Sequence, residues 1–243
     1  MTDTAKTVEH ALALLESLGA GGPGSSTELA QRAGLNRTVA HRLLTTLESR
    51  GFVRRRAGAW ELGLGLATLG QQVERDVRVA AARALEALAD ETAETALLAV
   101  PDGSMAVAVE QVVAVARPVQ VRYQPGFRHP LTRGAHGLAI LAFSPDTLVE
   151  SAVAEHGDAP RLRHRLEEIR GAGYAVTRDE LELGAAGVAA PVFAGVRGPV
   201  CASLGIVTPV HRFPTGQATI AATLRAADSV TDHLTLPGAQ PRT

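Results

Sequence analysis

The chain has 243 residues, of which 46% are hydrophobic and 20% charged, and its formal net charge is −1. These values are ordinary for a globular protein and exclude a disordered chain, and the length allows one large or two modest domains. A single cysteine, Cys201, excludes a disulfide framework or a cysteine metal cluster within one chain.

The N-terminal residues, MTDTAKTVEHALALL, lack the basic segment and cleavage site of a signal peptide. No apolar run approaches the roughly 20 residues that a membrane-spanning helix needs. We therefore expect a soluble, cytoplasmic protein. The apolar residues between Lys6 and about Leu18 recur with helical periodicity and predict a first helix.

The segment Ser26–Phe52 has the pattern of two short helices around a turn that contains Gly34. We expect Ser26 to be the N-cap of the first of these helices and Asn36 that of the second, which runs to Arg50. The second helix has polar and cationic residues on one face and leucines on the other. This pattern is typical of a helix-turn-helix whose second helix enters the DNA major groove.

Two extended runs, Phe52–Arg56 and Trp60–Leu62, enclose a turn of small residues and predict a hairpin, the wing of a winged helix. Residues 32–56 contain seven arginines and one glutamate, whereas residues 63–243 contain 16 arginines and 19 acidic residues. A basic end on a neutral-to-acidic body suits a nucleic-acid partner for that end alone.

The rest of the chain mixes both element types. Helices are expected at Leu64–Gln72, Ala80–Thr92, Gly134–Phe143, Thr147–Glu155, Arg161–Ala172 and Thr215–Leu234. Strands are expected at Glu94–Pro101, Ser104–Ala114, Val119–Tyr123, Tyr174–Thr177, Val188–Phe193 and Pro199–Val207. Strands with helices packed on one side indicate an α+β domain.

Four stretches, in order along the chain, resemble the IclR-type family of bacterial transcriptional regulators. The first is ELAQRAGLNRTVAHRLLTTLESRGFVRR followed by WELG, which includes the family's helix-turn-helix core at His41–Val53. The others are Gly126–Ala139, Gly173–Val192 and Ala202–Arg212. On these motifs the chain is identified as a member of that family over nearly its whole length.

The resemblance implies an α+β protein with an N-terminal winged helix-turn-helix, a helical linker and a C-terminal effector domain of GAF/PAS-like shape. We place the DNA-binding domain at residues 1–62, the linker helix at 63–78 and the effector-binding and oligomerisation domain at 79–243. The implied partners are double-stranded DNA with a pseudo-palindromic operator, a small organic effector, and further copies of the chain in a homodimer or a dimer of dimers. No membrane, metal or cofactor is expected. We expect a repressor, with activation left open because it depends on where the operator lies.

The first turns of the expected recognition helix carry the residues predicted to contact DNA, since such positions reach base edges. Arg37 can donate to guanine or phosphate, and Asn36 can cap the helix, contact phosphate or pair with adenine. For Arg42 we favour an anchoring contact, with phosphate or within the fold, over base reading. Val39 stands where the family usually has threonine, which leaves its methyl groups to meet a thymine methyl. The full predicted set on this helix is Asn36, Arg37, Thr38, Val39, His41 and Arg42.

Arg54, Arg55 and Arg56 lie on the first strand of the predicted wing. Successive residues of a strand point to opposite faces, so all three cannot face DNA. One or two of them should contact phosphate or enter the minor groove.

The family's effector site corresponds to nine positions of this chain: Val121, Tyr123, Ala135, His136, Thr177, Ala185, Gly187, Gly205 and Val207. Relatives that bind small carboxylates often have cysteine, serine or an acid where this chain has Gly187, Gly205, Val207 and Thr177, and Leu138 replaces a common lysine. These departures predict a less polar and roomier pocket, suited to an aromatic or branched organic acid.

Arg133 and His136 are the candidate partners of the effector's carboxylate. The alternative for His136 is a histidine on the helix surface with no ligand role. Cys201 lies in an apolar strand pattern and is expected to be an inert core residue.

Two other function classes stay open. One is an enzyme with an appended DNA-binding domain, although no HExxH, GxSxG or P-loop motif occurs and the histidines have no metal-ligand spacing. The other is a DNA-binding regulator whose C-terminal domain only oligomerises. We predict no catalytic residues. Loss of operator binding on adding a ligand would distinguish a ligand-responsive regulator from one whose C-terminal domain only oligomerises.

Overall fold

The computed structural model describes residues 5–114, 117, 119–213 and 217–235. By its internal contacts the chain divides between Val73 and Glu74, and each of the two units has its own core. Within the described residues no helix is long and apolar enough to cross a membrane.

The N-terminal unit has three helices, a two-stranded hairpin and a fourth short helix. They are α1 (Lys6–Gly21), α2 (Ser26–Arg32), α3 (Arg37–Ser49), β1 (Val53–Arg56), β2 (Ala59–Leu62) and α4 (Leu64–Gly70). The predicted helix-turn-helix and wing are both present. Their apolar faces meet in one cluster built from Leu14, Leu18, Leu29, Ala30, Ala40, Leu43, Leu44, Leu47, Val53 and Trp60.

The start of α2 differs from the prediction. The N-cap is Ser25, whose hydroxyl accepts from the backbone of Glu28 while the carboxylate of Glu28 accepts from the backbone of Ser25 at 2.7 Å. This reciprocal pair is a capping box. The prediction of Ser26 was wrong because two consecutive serines fit the cap position, and the glutamate three residues on selects the first.

The end of α3 is fixed to the start of α4 by close backbone packing. Gly51 has φ +72°, which permits the sharp turn after α3. Its carbonyl accepts from the backbone of Gly65 at 2.9 Å, and Gly63 donates to the carbonyl of Phe52 at 2.8 Å. A Cβ at Gly63 would lie 2.2 Å from the carbonyl oxygen of Gly51, so only glycine fits there.

The C-terminal unit is built on an antiparallel sheet of six strands in the order β5-β4-β3-β8-β7-β6. The strands are β3 (Thr95–Asp102), β4 (Met105–Val112), β5 (Arg128–Pro130), β6 (Ala175–Arg178), β7 (Ala185–Phe193) and β8 (Val200–Pro209). The helices are α5 (Arg75–Thr92), α6 (Gly134–Ala142), α7 (Asp146–Ala154), α8 (Ala159–Ala172) and α9 (Gln217–Thr235).

Helices cover both faces of this sheet, so the expectation of helices on one side was wrong. Alternate residues of β8, such as Leu204 and Ile206, pack with α5 and α9. On the opposite face, Ala189 of β7 packs with α6. Three of the strands, β3, β7 and β8, are buried almost throughout, which explains why their sequences are largely apolar instead of alternating.

Two other elements were predicted incorrectly. Val119–Tyr123 alternates apolar side chains, but residues 119–124, all described, have no strand partner. Tyr123 is buried nevertheless, in a small cluster with Leu97 and Val207. The helix expected from Ala80 begins five residues earlier, at Arg75, and buries Val77. The segment 63–78 given to the linker contains α4, a turn at 71–74 and the first turn of α5.

Candidate nucleic-acid interface and ligand pocket

Helix α3 separates its residues into a buried and an exposed face. Ala40, Leu43, Leu44 and Leu47 are buried in the N-terminal core. Arg37, Thr38, His41 and Arg42 are exposed, and they lie on the first turns of the helix. Asn36 is the N-cap, and its side-chain oxygen accepts from the backbone of Thr38 at 2.9 Å. The capping role proposed for Asn36 is therefore present, and it occupies the amide oxygen.

An open cleft of about 510 Å³ runs between α3, the start of α2 and the wing. Three recognition-helix residues and one wing arginine share it: Arg37, Thr38, His41 and Arg55. The other lining residues are Ser25, Ser26, Thr27, Gly58 and Trp60. The cleft thus brings cations and hydroxyl groups from three separate elements onto one surface, which suits a phosphate backbone and base edges.

Trp60 contacts a residue of each of the three elements that form the cleft. Its indole is only 2% exposed, and its Nε1 donates to Oγ of Ser26 at 2.9 Å. The same hydroxyl lies 3.4 Å from Nδ1 of His41. The His41 ring meets the indole edge-on at 6.3 Å, and the Arg55 guanidinium lies 4.3 Å from the indole centroid. One buried tryptophan therefore fixes the positions of two cleft residues.

The three wing arginines have different surroundings. Arg54 forms an ion pair with Glu61 across the hairpin at 2.7 Å, and its carboxylate partner is mostly buried. Arg55 lies on the opposite strand face and lines the cleft. Arg56 is exposed and stands opposite Ala59 in the hairpin register. As expected from strand alternation, the three do not share one surface.

Val39 and Arg42 also differ in setting. Val39 is half-buried and packs against the N-terminal core, so only part of its side chain is available to a thymine methyl. Arg42 is exposed, and its guanidinium has no hydrogen bond or ion pair with any residue in the described ranges. The fold-anchoring salt bridge considered for Arg42 is therefore not present among them.

A second, narrow site lies in the C-terminal unit between α6 and the sheet. Its cavity is about 20 Å³, room for about one water molecule. Seven of the nine predicted effector residues line it: Tyr123, Ala135, His136, Thr177, Ala185, Gly187 and Val207. Val121 and Gly205 do not line it, although Val121 packs beside Tyr123.

The two glycines do not widen this cavity as expected. A Cβ at Gly205 would lie 2.0 Å from the carbonyl oxygen of Val188, so the glycine permits a close approach of β7 and β8. A Cβ at Gly187 would stand 3.2 Å from the carbonyl oxygen of Ile206 and 3.5 Å from Cβ of Ala135. The roomier pocket was a wrong expectation because one glycine serves backbone packing and the other faces a neighbouring side chain.

His136 is the most unusual polar group of the cavity. It is 3% exposed, which excludes the helix-surface alternative. Its Nδ1 lies 3.0 Å from Oγ of Ser203, while Nε2 has no partner among the described residues. Burial lowers the pKa of His136 to about 3, with a further lowering from nearby His129, so the ring is neutral. A buried, unpaired polar atom costs about 1–3 kcal/mol, which a bound polar group would recover.

Arg133, the other candidate carboxylate partner, is exposed and lies outside the cavity. Its guanidinium donates to the backbone carbonyl of Glu180. Glu180 does line the cavity, together with Leu97, His129, Leu181 and Ala186, none of which was among the predicted effector residues. Leu97, His129 and the neighbouring pair Glu180 and Leu181 lie 32 or more residues apart along the chain. The acidic pair Asp179-Glu180 within the third family stretch was the only available signal.

Comparison with known proteins assigns both units. A model of the IclR helix-turn-helix domain matches residues 7–57. A model described as bacterial transcriptional regulator IclR C-terminal matches residues 71–232, two thirds of the chain. The chain belongs to the IclR family of transcriptional regulators. It is a DNA-binding regulator, as predicted, and the winged helix and the α/β effector-type domain of that family are the two units described above.

Individual relatives are also transcriptional regulators or regulatory proteins by name. The chain is 34% identical to the glycerol operon regulatory protein of Streptomyces griseus over 230 residues, 87% of this chain and 88% of the relative. It is 31% identical to the HTH-type transcriptional regulator KipR of Bacillus subtilis, over 79% of this chain and 82% of the relative. Among solved structures, Pseudomonas aeruginosa HmgR is 28% identical with a TM-score of 0.79, covering 93% of this chain and 98% of that one.

Cys201 is half-buried, and its Sγ lies 3.5 Å from the carbonyl oxygen of Val192. Burial raises the pKa of the Cys201 thiol to about 11, which keeps it protonated and unreactive. Within the part of the chain that the structure describes, no group of three metal-ligating side chains is found.

Proposed function

We propose that the protein is a repressor whose operator binding is released by a small organic acid bound in the C-terminal cavity. The observation that carries the DNA-binding half is the cleft that Arg37, Thr38 and His41 of α3 share with Arg55 of the wing. In this proposal α3 enters the major groove, where its first turns reach base edges, and Arg55 contacts the backbone beside it. A regulator that binds a bacterial chromosome acts in the cytoplasm.

Base reading is assigned to Arg37 and His41, and backbone contact to Thr38, Arg42, Arg55 and Arg56. Asn36 orients the helix by its cap, and Val39 contributes packing with a partial face toward the groove. Arg54 is assigned the weakest DNA role because its charge is already paired with Glu61. A homodimer or a dimer of dimers on a pseudo-palindromic operator would place two such surfaces one helical turn apart.

The effector half of the proposal rests on the unpaired Nε2 of buried His136. Half of the twelve lining residues are aliphatic: Leu97, Ala135, Leu181, Ala185, Ala186 and Val207. A largely apolar wall that also holds a neutral, unpaired hydrogen-bonding atom suits an aromatic or branched body that carries a polar substituent. This favours a ligand-responsive C-terminal domain over one that only oligomerises. The enzyme alternative gains nothing from Cys201, whose thiol is kept protonated by burial.

In the first experiment, the full-length protein is used to select the sequences that it binds from a pool of random 30-base-pair DNA duplexes. Its affinity for the enriched sequence is then measured by fluorescence anisotropy. We expect two inverted half-sites. Arg37→Ala should lose about 1–3 kcal/mol of binding to the selected sequence and tolerate change at one base pair per half-site. Arg50→Ala, the same charge loss at the C-cap of α3, is the control. Equal loss on selected and random DNA would refute base reading by Arg37.

The same assay tests the effector. Benzoate, 3-hydroxybenzoate, isovalerate and glyoxylate are added in turn to the protein–DNA complex, and thermal stability is measured in parallel. We expect the aromatic or branched acids to raise the melting temperature and weaken DNA binding. Stabilisation by glyoxylate alone would reject the proposed ligand class. No effect of any acid on either measurement would favour a C-terminal domain that only oligomerises.

A further inference from the structure

The cavity in the C-terminal unit is closed by the segment 179–184, which connects β6 to β7. Leu181 of this segment lines the cavity, and its Cδ1 stands 2.7 Å from the position that a Cβ on Gly134 would occupy. The remaining volume, about 20 Å³, holds about one water molecule. An organic acid can therefore enter only if part of the wall moves. Apart from 179–184, the cavity is lined by helix and strand residues together with Tyr123.

A carboxylate of the chain itself occupies the start of α6. Oε2 of Glu180 accepts from the backbone nitrogen of Gly134, the first residue of the helix, at 3.0 Å. Oε1 of Glu180 accepts from the guanidinium of Arg165 at 2.6 Å. The free amides at a helix N-terminus and an arginine together make a strong site for an anion. Glu180 is the anion that fills it here.

An unpaired buried atom in the cavity is an independent sign of a ligand site. His136, two residues further along α6, is buried and also lines the cavity. Its Nε2 has no partner among the described residues. The closed state thus leaves one polar atom of the cavity unsatisfied, while Glu180, which also lines the cavity, fills the anion site made by Gly134 and Arg165.

We propose that Glu180 is an internal competitor of the effector. The carboxylate of an aromatic or branched acid replaces that of Glu180 at Gly134 and Arg165, its polar substituent pairs with His136, and Leu181 leaves the cavity with the segment 179–184. Asp179 and Gly184, both with positive φ (57° and 85°), bound this segment. The inference rests on the proposed function of the cavity as an effector site and adds how entry is controlled and which group the carboxylate displaces.

The competition has a measurable consequence. A ligand whose competent state is only fractionally populated binds more weakly by that fraction, and removing the competitor restores the intrinsic affinity. Glu180→Gln keeps the size of the side chain but removes its charge. We expect it to bind acids about tenfold more tightly than the unaltered protein. The side chain of Glu182 has no hydrogen bond or ion pair with Gly134 or Arg165, so Glu182→Gln, the same change two residues on, should stay within about twofold.

Calorimetry on the full chain compares benzoate, 3-hydroxybenzoate and isovalerate with benzamide, which has no charge. Glu180→Gln should gain affinity for the acids but not for the amide. Leu181→Ala, which removes the steric closure and leaves the charges, should gain affinity for both. In the unaltered protein, acid binding should accelerate hydrogen exchange of the 181–184 amides while the Gly134 amide stays protected.

The outcomes separate this inference from the function on which it rests. If the acids bind the unaltered protein and Glu180→Gln gains nothing, or matches Glu182→Gln, the competition is refuted and the effector site stands. Weaker acid binding by Glu180→Gln would make Glu180 part of the ligand site instead of its competitor. If no acid binds any of the four proteins, the proposed effector function and this inference fall together.

Discussion

The indole nitrogen of Trp60 donates a 2.9 Å hydrogen bond to the hydroxyl of Ser26. The two residues are 34 positions apart, one on the wing and one at the start of α2. Because the indole can only donate, the serine oxygen accepts, and its own hydrogen can be directed to Nδ1 of His41, 3.4 Å away. In that arrangement a neutral His41 carries its hydrogen on Nε2, the atom left to donate to DNA.

We expect Ser26→Ala to weaken both the fold and DNA binding. The Trp60 donor would lose its partner in a partly buried site, which costs about 1–2 kcal/mol of unfolding free energy. His41 would lose its fixed orientation, and we expect a fall in DNA affinity of about fivefold, or roughly 1 kcal/mol. Ser49→Ala, at the far end of α3, is the matched control. Unchanged DNA affinity in Ser26→Ala would show that the hydroxyl does not orient His41.

Arg54 and Arg55 should differ in their effect on the salt dependence of DNA binding. Arg55 lies in the cleft, whereas Arg54 is paired with Glu61. Removing one phosphate contact lowers the slope of log affinity against log salt by roughly one unit, on any DNA sequence. Arg55→Ala should show this change and Arg54→Ala should not. Titrations at four salt concentrations decide it, and equal slopes for the two variants would contradict the assignment.

His136 should make the protein less stable in mild acid. Burial lowers the pKa of His136 to about 3 in the folded protein, whereas an unfolded histidine titrates near pH 6.5. Between these values the unfolded chain binds more protons, so the free energy of unfolding falls as the pH falls. The stabilising contribution is complete above pH 6.5 and declines toward pH 3. Between pH 6.5 and 5 the loss from this residue is about 2 kcal/mol.

Urea unfolding at several pH values measures this slope. His136→Leu should reduce it, whatever the variant does to stability at neutral pH, and a slope of the same sign should remain from His129, whose pKa is also lowered by burial. His164→Leu changes an exposed histidine of α8 and should leave the slope intact. If His136→Leu kept the slope of the unaltered protein, another group would have to account for it.

Gly205 and Gly187 should respond differently to alanine. A Cβ at Gly205 would overlap the backbone of β7, at 2.0 Å from the carbonyl oxygen of Val188 and 2.6 Å from Cα of Ala189. We expect Gly205→Ala to cost about 3 kcal/mol because two paired strands must separate. Gly187→Ala needs shifts of only tenths of an ångström and should cost less than about 1 kcal/mol. Chemical denaturation of both variants tests the pair, and similar losses would rule out the close strand approach.

Much of the fold was predictable because local patterns agree with it. The leucines of α3 recur with helical period and Asn36 stands where a cap is needed, so the recognition helix was placed within one residue of its observed ends. The strand expected at Val119–Tyr123 shows the limit of this reasoning. Alternation describes a half-buried chain, but a strand also needs a partner, which sequence does not supply.

Many residues of the candidate sites could be predicted from the sequence, but the hydrogen bonds between them could not. The family motifs placed His136 and Thr177 at the cavity, which they line. They gave no indication that Glu180 bonds to Gly134, 46 residues earlier, or that Trp60 bonds to Ser26. Such contacts depend on how α6 meets the β6–β7 connection and how the wing folds back onto α2. They arise only from the assembled backbone.

The glycine contact between Gly51 and the start of α4 has a mechanical consequence. With the Gly51 carbonyl bonded to Gly65 and no room for side chains between them, the joint has little freedom to bend or twist. We therefore expect α4 and the end of α3 to move together as one rigid segment. A methyl group at Gly63 would push the two backbone segments apart, and we expect α4 to become more mobile relative to α3.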